Sequence, residues 1–133
     1  MVSILIISPG FISTKMTDNK YEYEFLDPEQ DTALIKLHEN VLGGNDALEF
    51  TATLEELSSK GVKLIIADLK NVSVMNSSGL GMLVSALSNL KNTDVAFVLS
   101  SVPKKVQALL EMTHLNKVFS IYKNNEAAAS HLD

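Results

Sequence analysis

The sequence predicts a single α/β domain in which helices cross a largely parallel sheet, and three observations carry that prediction. Val62 to Leu69 and Val95 to Leu99 are almost continuously apolar, as expected of strands covered on both faces. Between them Leu80, Leu83, Val84, Leu87 and Leu90 fall at helical spacing and make one apolar stripe. The chain has 133 residues, 46% hydrophobic and 20% charged, the size and composition of one compact domain.

Taken in order, Tyr21-Glu22-Tyr23-Glu24-Phe25 alternates aromatic and acidic residues, the pattern of a half-buried strand. Asp27-Pro28-Glu29-Gln30-Asp31 supplies turn chemistry, and Thr32 to His38 resumes a strand with Ala33, Ile35 and Leu37 on one face, so the two form an antiparallel hairpin. After Gly43-Gly44, Asp46 and Glu49 have the spacing of a capping box; Phe50, Leu54 and Leu57 line the first helix and Gly61 ends it. Val62 to Leu69 is the central strand. The second helix runs from Ser77 to Lys91, and Val95 to Leu99 is the next buried strand. Pro103 then opens a third helix carrying Val106, Leu109, Leu110 and Thr113. Val118 to Tyr122 is read as the last strand and Asn125 to Leu132 as a short final helix. The order β-β-α-β-α-β-α-β-α is that of a mixed, mostly parallel sheet with crossover helices.

This domain is expected to occupy residues 20–133, with residues 1–19 as an N-terminal extension. Its Ile4-Leu5-Ile6-Ile7 run is too apolar to stay in water, and it either adds an edge strand or contacts a second copy, giving a homo-oligomer. Met16, which opens a more polar stretch, is an alternative start. The extension lacks the basic flank and cleavage site of a signal peptide, and no apolar stretch reaches the ~20 residues that span a bilayer, so a cytoplasmic protein without membrane insertion is expected.

Composition excludes several classes of function. There is no Cys, hence no disulfide framework and no thiolate metal site. All 11 basic residues are Lys against 16 acids, a net charge of −5 without one guanidinium, which argues against a nucleic-acid partner. The sequence carries no nucleophile elbow, no Walker A lysine and no histidine pair at ligand spacing, so no enzyme, cofactor or metal site is expected. His38 and His131 read as solvated surface, and His114 as a left-handed residue closing the third helix.

The informative segment is Val74-Met75-Asn76-Ser77-Ser78-Gly79-Leu80-Gly81, which joins the central strand to the second helix. Strand carboxyl ends are where α/β sheets meet ligands and partners, and a helix start offers free N–H groups. Asn76 or Ser77 can cap the helix, while Gly79 and Gly81 leave room for another molecule to approach. Two serines and two glycines can equally do no more than cap and pack a helix. Asp68 can orient this segment by accepting backbone hydrogen bonds, or reach water at its strand end. Met75 is expected under the loop and Met82 on the exposed side of the helix, where it would suit docking.

With these residues in view, the chain resembles the STAS domains of bacterial anti-sigma factor antagonists. The likeness is carried by Ile65-Ile66-Ala67-Asp68-Leu69 leading to Met75-Asn76-Ser77-Ser78-Gly79-Leu80-Gly81, by Val95 to Leu99, and by Val106 to Phe119. The resemblance implies a non-enzymatic interaction switch that binds a serine kinase acting as anti-sigma factor. It is released when Ser77 is phosphorylated and reset by a serine phosphatase. The implied partner-binding residues are Asn76, Ser77, Ser78, Gly79, Leu80, Gly81 and Met82, with Leu42, Gly43, Gly44 and Asn45 from the loop that begins at Glu39. Asn76 departs from the family's usual Asp, and Glu39 stands where many relatives have Gly. Two other readings stay open. One is a constitutive STAS adaptor in a transporter or lipid-trafficking complex. The other is a phosphate or nucleotide site in the Ser77 to Gly81 turn, against which stands the lack of any Lys or Arg between Lys70 and Lys91.

Overall fold

The computed structural model describes residues 21–133, so the expectations for the N-terminal extension lie outside the described residues. A five-stranded sheet has the spatial order β1, β2, β4, β6, β7, formed by Tyr23–Phe25, Thr32–Lys36, Leu64–Asp68, Ala96–Ser100 and Ile121–Tyr122. β1 pairs antiparallel with β2 and every other neighbour pairs parallel, which makes this a single α/β domain with a mixed, mostly parallel sheet. The central position of β4 agrees with its unbroken burial from Leu64 to Asp68. The hairpin turn is tied by Asp27, whose carboxylate accepts from the N–H groups of Asp31 and Thr32.

Side-chain alternation divides the core into two layers. Ala33, Ile35, Ile65, Ala67, Phe97 and Leu99 face α1 (Asn45–Ser59), α2 (Ser77–Leu90) and α3 (Lys104–Met112), where Phe50, Leu57, Leu83 and Leu110 meet them. On the opposite face Leu34, Leu64, Ile66 and Val98 pack with Ala128 of α4 (Asn125–Ala129). No helix among the described residues is long and apolar enough to cross a membrane.

Several local expectations are corrected. Asp46 makes no side-chain cap on α1; the N-cap is Gly44, and the Asp46 carboxylate is occupied elsewhere. The last strand is only Ile121–Tyr122, because Leu115–Lys117 forms a 3-10 turn that leaves Val118 exposed. The final helix stops at Ala129 rather than Leu132. His131 is half-buried, its Nδ1 2.6 Å from the Tyr122 hydroxyl, and is not a solvated surface residue. His114 does adopt the left-handed conformation, with φ 63°.

Asp68 does not reach water, and the backbone hydrogen bond it accepts comes from Lys70 and not from the Ser77 segment. It is buried at the end of β4, accepting from Lys70 N–H at 2.9 Å and from the Asn125 side-chain amide at 3.0 Å. Asn125 in turn accepts from the buried Ser100 hydroxyl. The pairing fastens α4 to the ends of β4 and β6, and it satisfies polar groups whose burial alone would be costly.

Candidate functional site

Two short segments missed by periodicity build the site. Asn40–Val41 (β3) and Val74–Met75 (β5) form a separate two-stranded parallel sheet at the carboxyl end of β2 and β4. Glu39 stitches the same loops together, its carbonyl accepting from the N–H groups of Ser73 and Val74 at 2.8 and 3.1 Å. The loop after β3 and the start of α2 are thereby brought side by side, uniting the two groups of residues that sequence reasoning singled out.

At the start of α2, Asn76 is the N-cap, and its side-chain oxygen accepts from Gly79 N–H at 2.8 Å. A neutral amide thus performs the capping. The hydroxyls of Ser77 and Ser78 make no hydrogen bond among the described residues, and both serines are exposed. The Ser78 Cβ lies against Gly43, where an added Cβ would sit 2.7 Å from it.

Gly79 turns inward. A Cβ there would lie 2.0 Å from the carbonyl oxygen of Val41, so this glycine exists for close contact between α2 and β3 and not for an incoming molecule. Gly81 is open, with nothing within 4 Å of an added Cβ. Leu80 and Met82 are buried as well. Placing Met82 on a docking surface is therefore corrected: the buried arc of α2 spans Gly79, Leu80, Met82, Leu83 and Ala86, wider than the stripe read from the sequence. Of the residues named from sequence, Asn76, Ser77, Ser78, Gly81, Leu42, Gly44 and Asn45 are exposed, Gly43 is half-buried, and Gly79, Leu80 and Met82 are not accessible.

Two exposed apolar residues escaped the sequence reading. Leu48, 69% exposed on the first turn of α1, and Val74, 50% exposed on β5, join Leu42 at 48% on the segments that carry the site. The signal was faint, since each is one apolar residue within a pattern otherwise consistent with burial. All three are apolar side chains left exposed to water. No group of three or more metal-ligating side chains occurs among the described residues.

Tyr21, His38 and Asp46 form a cluster at the base of the loop. Tyr21 donates to Asp46 Oδ2 at 2.6 Å, His38 Nδ1 lies 3.0 Å from Asp46 Oδ1, and the two rings stack at 4.0 Å. His38 is an exposed surface residue, as expected, and it is also engaged with Asp46. Burial, followed by the hydrogen bond to Asp46, pushes the Tyr21 phenol well above its ordinary value near 10. Above that pH the unfolded chain loses a proton that the folded chain keeps. The stabilisation is complete below about pH 10 and declines as pH rises further. Denaturant melts between about pH 9 and 11.5 should show a shallower decline in Tyr21→Phe than in the wild type. Equal slopes would remove Tyr21 as the cause.

The fold is that of a small α/β domain in which one loop and the N-terminus of α2 lie side by side at the carboxyl end of the sheet. The chain belongs to the STAS domain family, whose model matches residues 28–128. It is 30% identical over 95 residues to the anti-sigma-B factor antagonist of Staphylococcus aureus, covering 68% of this chain and 88% of that one. A candidate anti-sigma factor antagonist from Thermotoga maritima matches in its crystal structure with a TM-score of 0.69 and 25% identity, over 82% of this chain and 91% of that one. The anti-sigma factor antagonist SpoIIAA in its unphosphorylated form matches with a TM-score of 0.69 at 18% identity, over 84% and 95%, and shares the fold. The chain therefore resembles anti-sigma factor antagonists within the STAS family.

Proposed function

We propose that this chain is a cytoplasmic anti-sigma factor antagonist, binding an anti-sigma factor that is also a serine kinase, and that phosphorylation of Ser77 ends the contact until a serine phosphatase resets it. The observation that carries the reading is the exposed Ser77 at the first position of α2, beside a loop with its own exposed apolar residues. Likeness to antagonists supports the partner class. SpoIIAA is known in both unphosphorylated and phosphorylated forms, and both share this fold.

Physical chemistry indicates where the switch acts. A phosphoryl group adds about −1.5 to −2 charges, and at a helix N-terminus this is worth only ~0.3–1 kcal/mol in the favourable direction. The fold tolerates it. In a desolvated contact an unpaired dianion costs several kcal/mol, and each ~1.4 kcal/mol is a tenfold loss of affinity. Release of the partner, not a change of fold, is the output.

The test is incubation with the kinase encoded in the same genome and ATP, followed by mapping of the modified residue. Phosphate is expected on Ser77, with none on Ser77→Ala, since Ser78 is held against Gly43. Phosphate on Ser78 alone would overturn the assignment. Binding of an anti-sigma factor without phosphate transfer would instead favour a constitutive adaptor.

A further inference from the structure

We infer that the solvent face of α1 docks on the solvent face of α3 of a second copy of this chain, the two helices running antiparallel. Among the described residues the two most exposed large apolar side chains are Leu48 on α1, at 69%, and Met112 on α3, at 78%. Each opens an exposed stripe. On α1 the stripe continues through Ala52 to Glu55 and Glu56, and on α3 it runs back through Ala108 to Lys105 and Lys104. Followed in opposite directions along the chain, the two stripes share one spacing: a small residue four positions from the apolar end, and charges seven and eight positions from it. With a rise of about 1.5 Å per residue, each stripe is about 12 Å long. Antiparallel packing therefore sets Leu48 on Met112, Ala52 on Ala108, and Glu55 and Glu56 beside Lys105 and Lys104. The paired alanines allow close approach of the helix axes between those ends. Other pairings match poorly. Joining α1 to α1 brings glutamates together or against Leu48, joining α3 to α3 brings lysines together or against Met112, and parallel packing of α1 on α3 sets both apolar side chains against charges.

The distribution of charge along the chain favours the same pairing. Residues 21–56, which include α1, carry ten Asp and Glu against Lys36 alone, whereas residues 96–123, which include α3, carry Lys104, Lys105, Lys117 and Lys123 against Glu111 alone. Glu55, Lys104 and Lys105 make no ion pair among the described residues. The register brings one like-charged pair together, Glu49 with Glu111. Both are engaged at home: Glu49 is half-buried near enough to Tyr21 to raise its phenol, and Glu111 accepts from the Gln107 amide at 3.1 Å. Because both stripes are exposed in the single chain, they are free to meet between copies. The contact is heterologous, so a pair keeps one α1 stripe and one α3 stripe open. Two stripes of this length bury less than the ~1,200 Å² of stable complexes, and the association is weak and concentration-dependent. Leu48 also neighbours the loop proposed above as part of the partner contact; on that reading, a copy held at α1 is withheld from the anti-sigma factor.

The test is sedimentation of the whole chain alone, from micromolar to millimolar concentration. The average mass of the wild type is expected to rise with concentration and to fall again in high salt, which screens exposed ion pairs. Glu55→Lys and Lys105→Glu should each weaken association about fivefold, and an equimolar mixture of the two should restore it, because opposite charges then meet again between the variants. The two substitutions move the net charge in opposite directions, so a general charge effect does not weaken both. Met112→Ser should weaken association about tenfold. All three positions are exposed, and thermal melts check that the fold is kept. A wild type that stays monomeric overturns the inference. Association that persists unchanged in the three variants also overturns it and places the contact elsewhere, and so does a mixture that stays monomeric. No partner is present, so the two readings fail separately: self-association in a chain that binds no anti-sigma factor overturns only the proposed function, and a monomer that binds one overturns only this contact.

Discussion

Gly79→Ala is expected to lower stability by about 3 kcal/mol, while Gly81→Ala, two residues further along the same helix, raises it by about 0.5–1 kcal/mol. Both substitutions add one methyl group to α2 and both improve helix propensity. What separates them is the neighbour. The new Cβ at Gly79 meets the Val41 carbonyl oxygen at 2.0 Å and its carbon at 2.7 Å, a backbone collision that no rotamer change relieves. Val41 is held by its pairing with Met75, and Glu39 by its bonds to Ser73 and Val74, so retreat of β3 breaks the small sheet. At Gly81 the methyl group enters open space. Denaturant melts of the two variants beside the wild type measure the difference. A Gly79→Ala protein as stable as the parent would mean that β3 does not lie on α2 as described. The functional consequence is displacement of the loop carrying Leu42 to Asn45, so Gly79→Ala should weaken partner binding even where the protein remains folded.

This contact marks the boundary of what the sequence made legible. The strand–helix order, the central β4 and the β1–β2 hairpin all follow from side-chain periodicity, because each element has enough residues to display it. β3 and β5 have two residues each, and no period of two can be read from two positions. Glycine composition pointed to close approach at Gly79, yet only the fold shows that the approaching group is the chain's own β3. Asp46 was misread for a related reason. Asp46 has the right spacing to Glu49 for a capping box, but Tyr21, 25 residues earlier, competes for the carboxylate and wins. His38 was read correctly as surface, but its contact with Asp46 lies across a loop and leaves no spacing signal. Ser77, by contrast, was legible because helix starts are announced by local chemistry, here Asn76 followed by two serines and a glycine.

Ser77→Asp is expected to weaken binding to the anti-sigma factor by roughly 100-fold while leaving the melting temperature within a few degrees of the parent. The two halves have different physical origins and are measured separately, by calorimetric titration and by thermal melts. Stability is spared because Ser77 is exposed, makes no hydrogen bond among the described residues and occupies the first turn of α2, where a negative charge meets the positive end of the helix dipole. Asn76 assists: a neutral cap places no carboxylate beside the new charge, so the repulsion that an acidic cap would add is absent. Asn76→Asp should therefore make the Ser77→Asp protein less stable than the sum of the single variants. Affinity is lost because the new charge would enter a contact that excludes water. No Lys or Arg lies between Lys70 and Lys91 in the chain, and the exposed apolar residues Leu42, Leu48 and Val74 suit a partner surface that excludes water. A carboxylate is a smaller and less charged group than a phosphate, so phosphorylated Ser77 should bind more weakly still. Wild-type affinity in Ser77→Asp and in the phosphorylated protein alike would show that this serine is a bystander on the face, and the switch would then have to lie elsewhere on the domain.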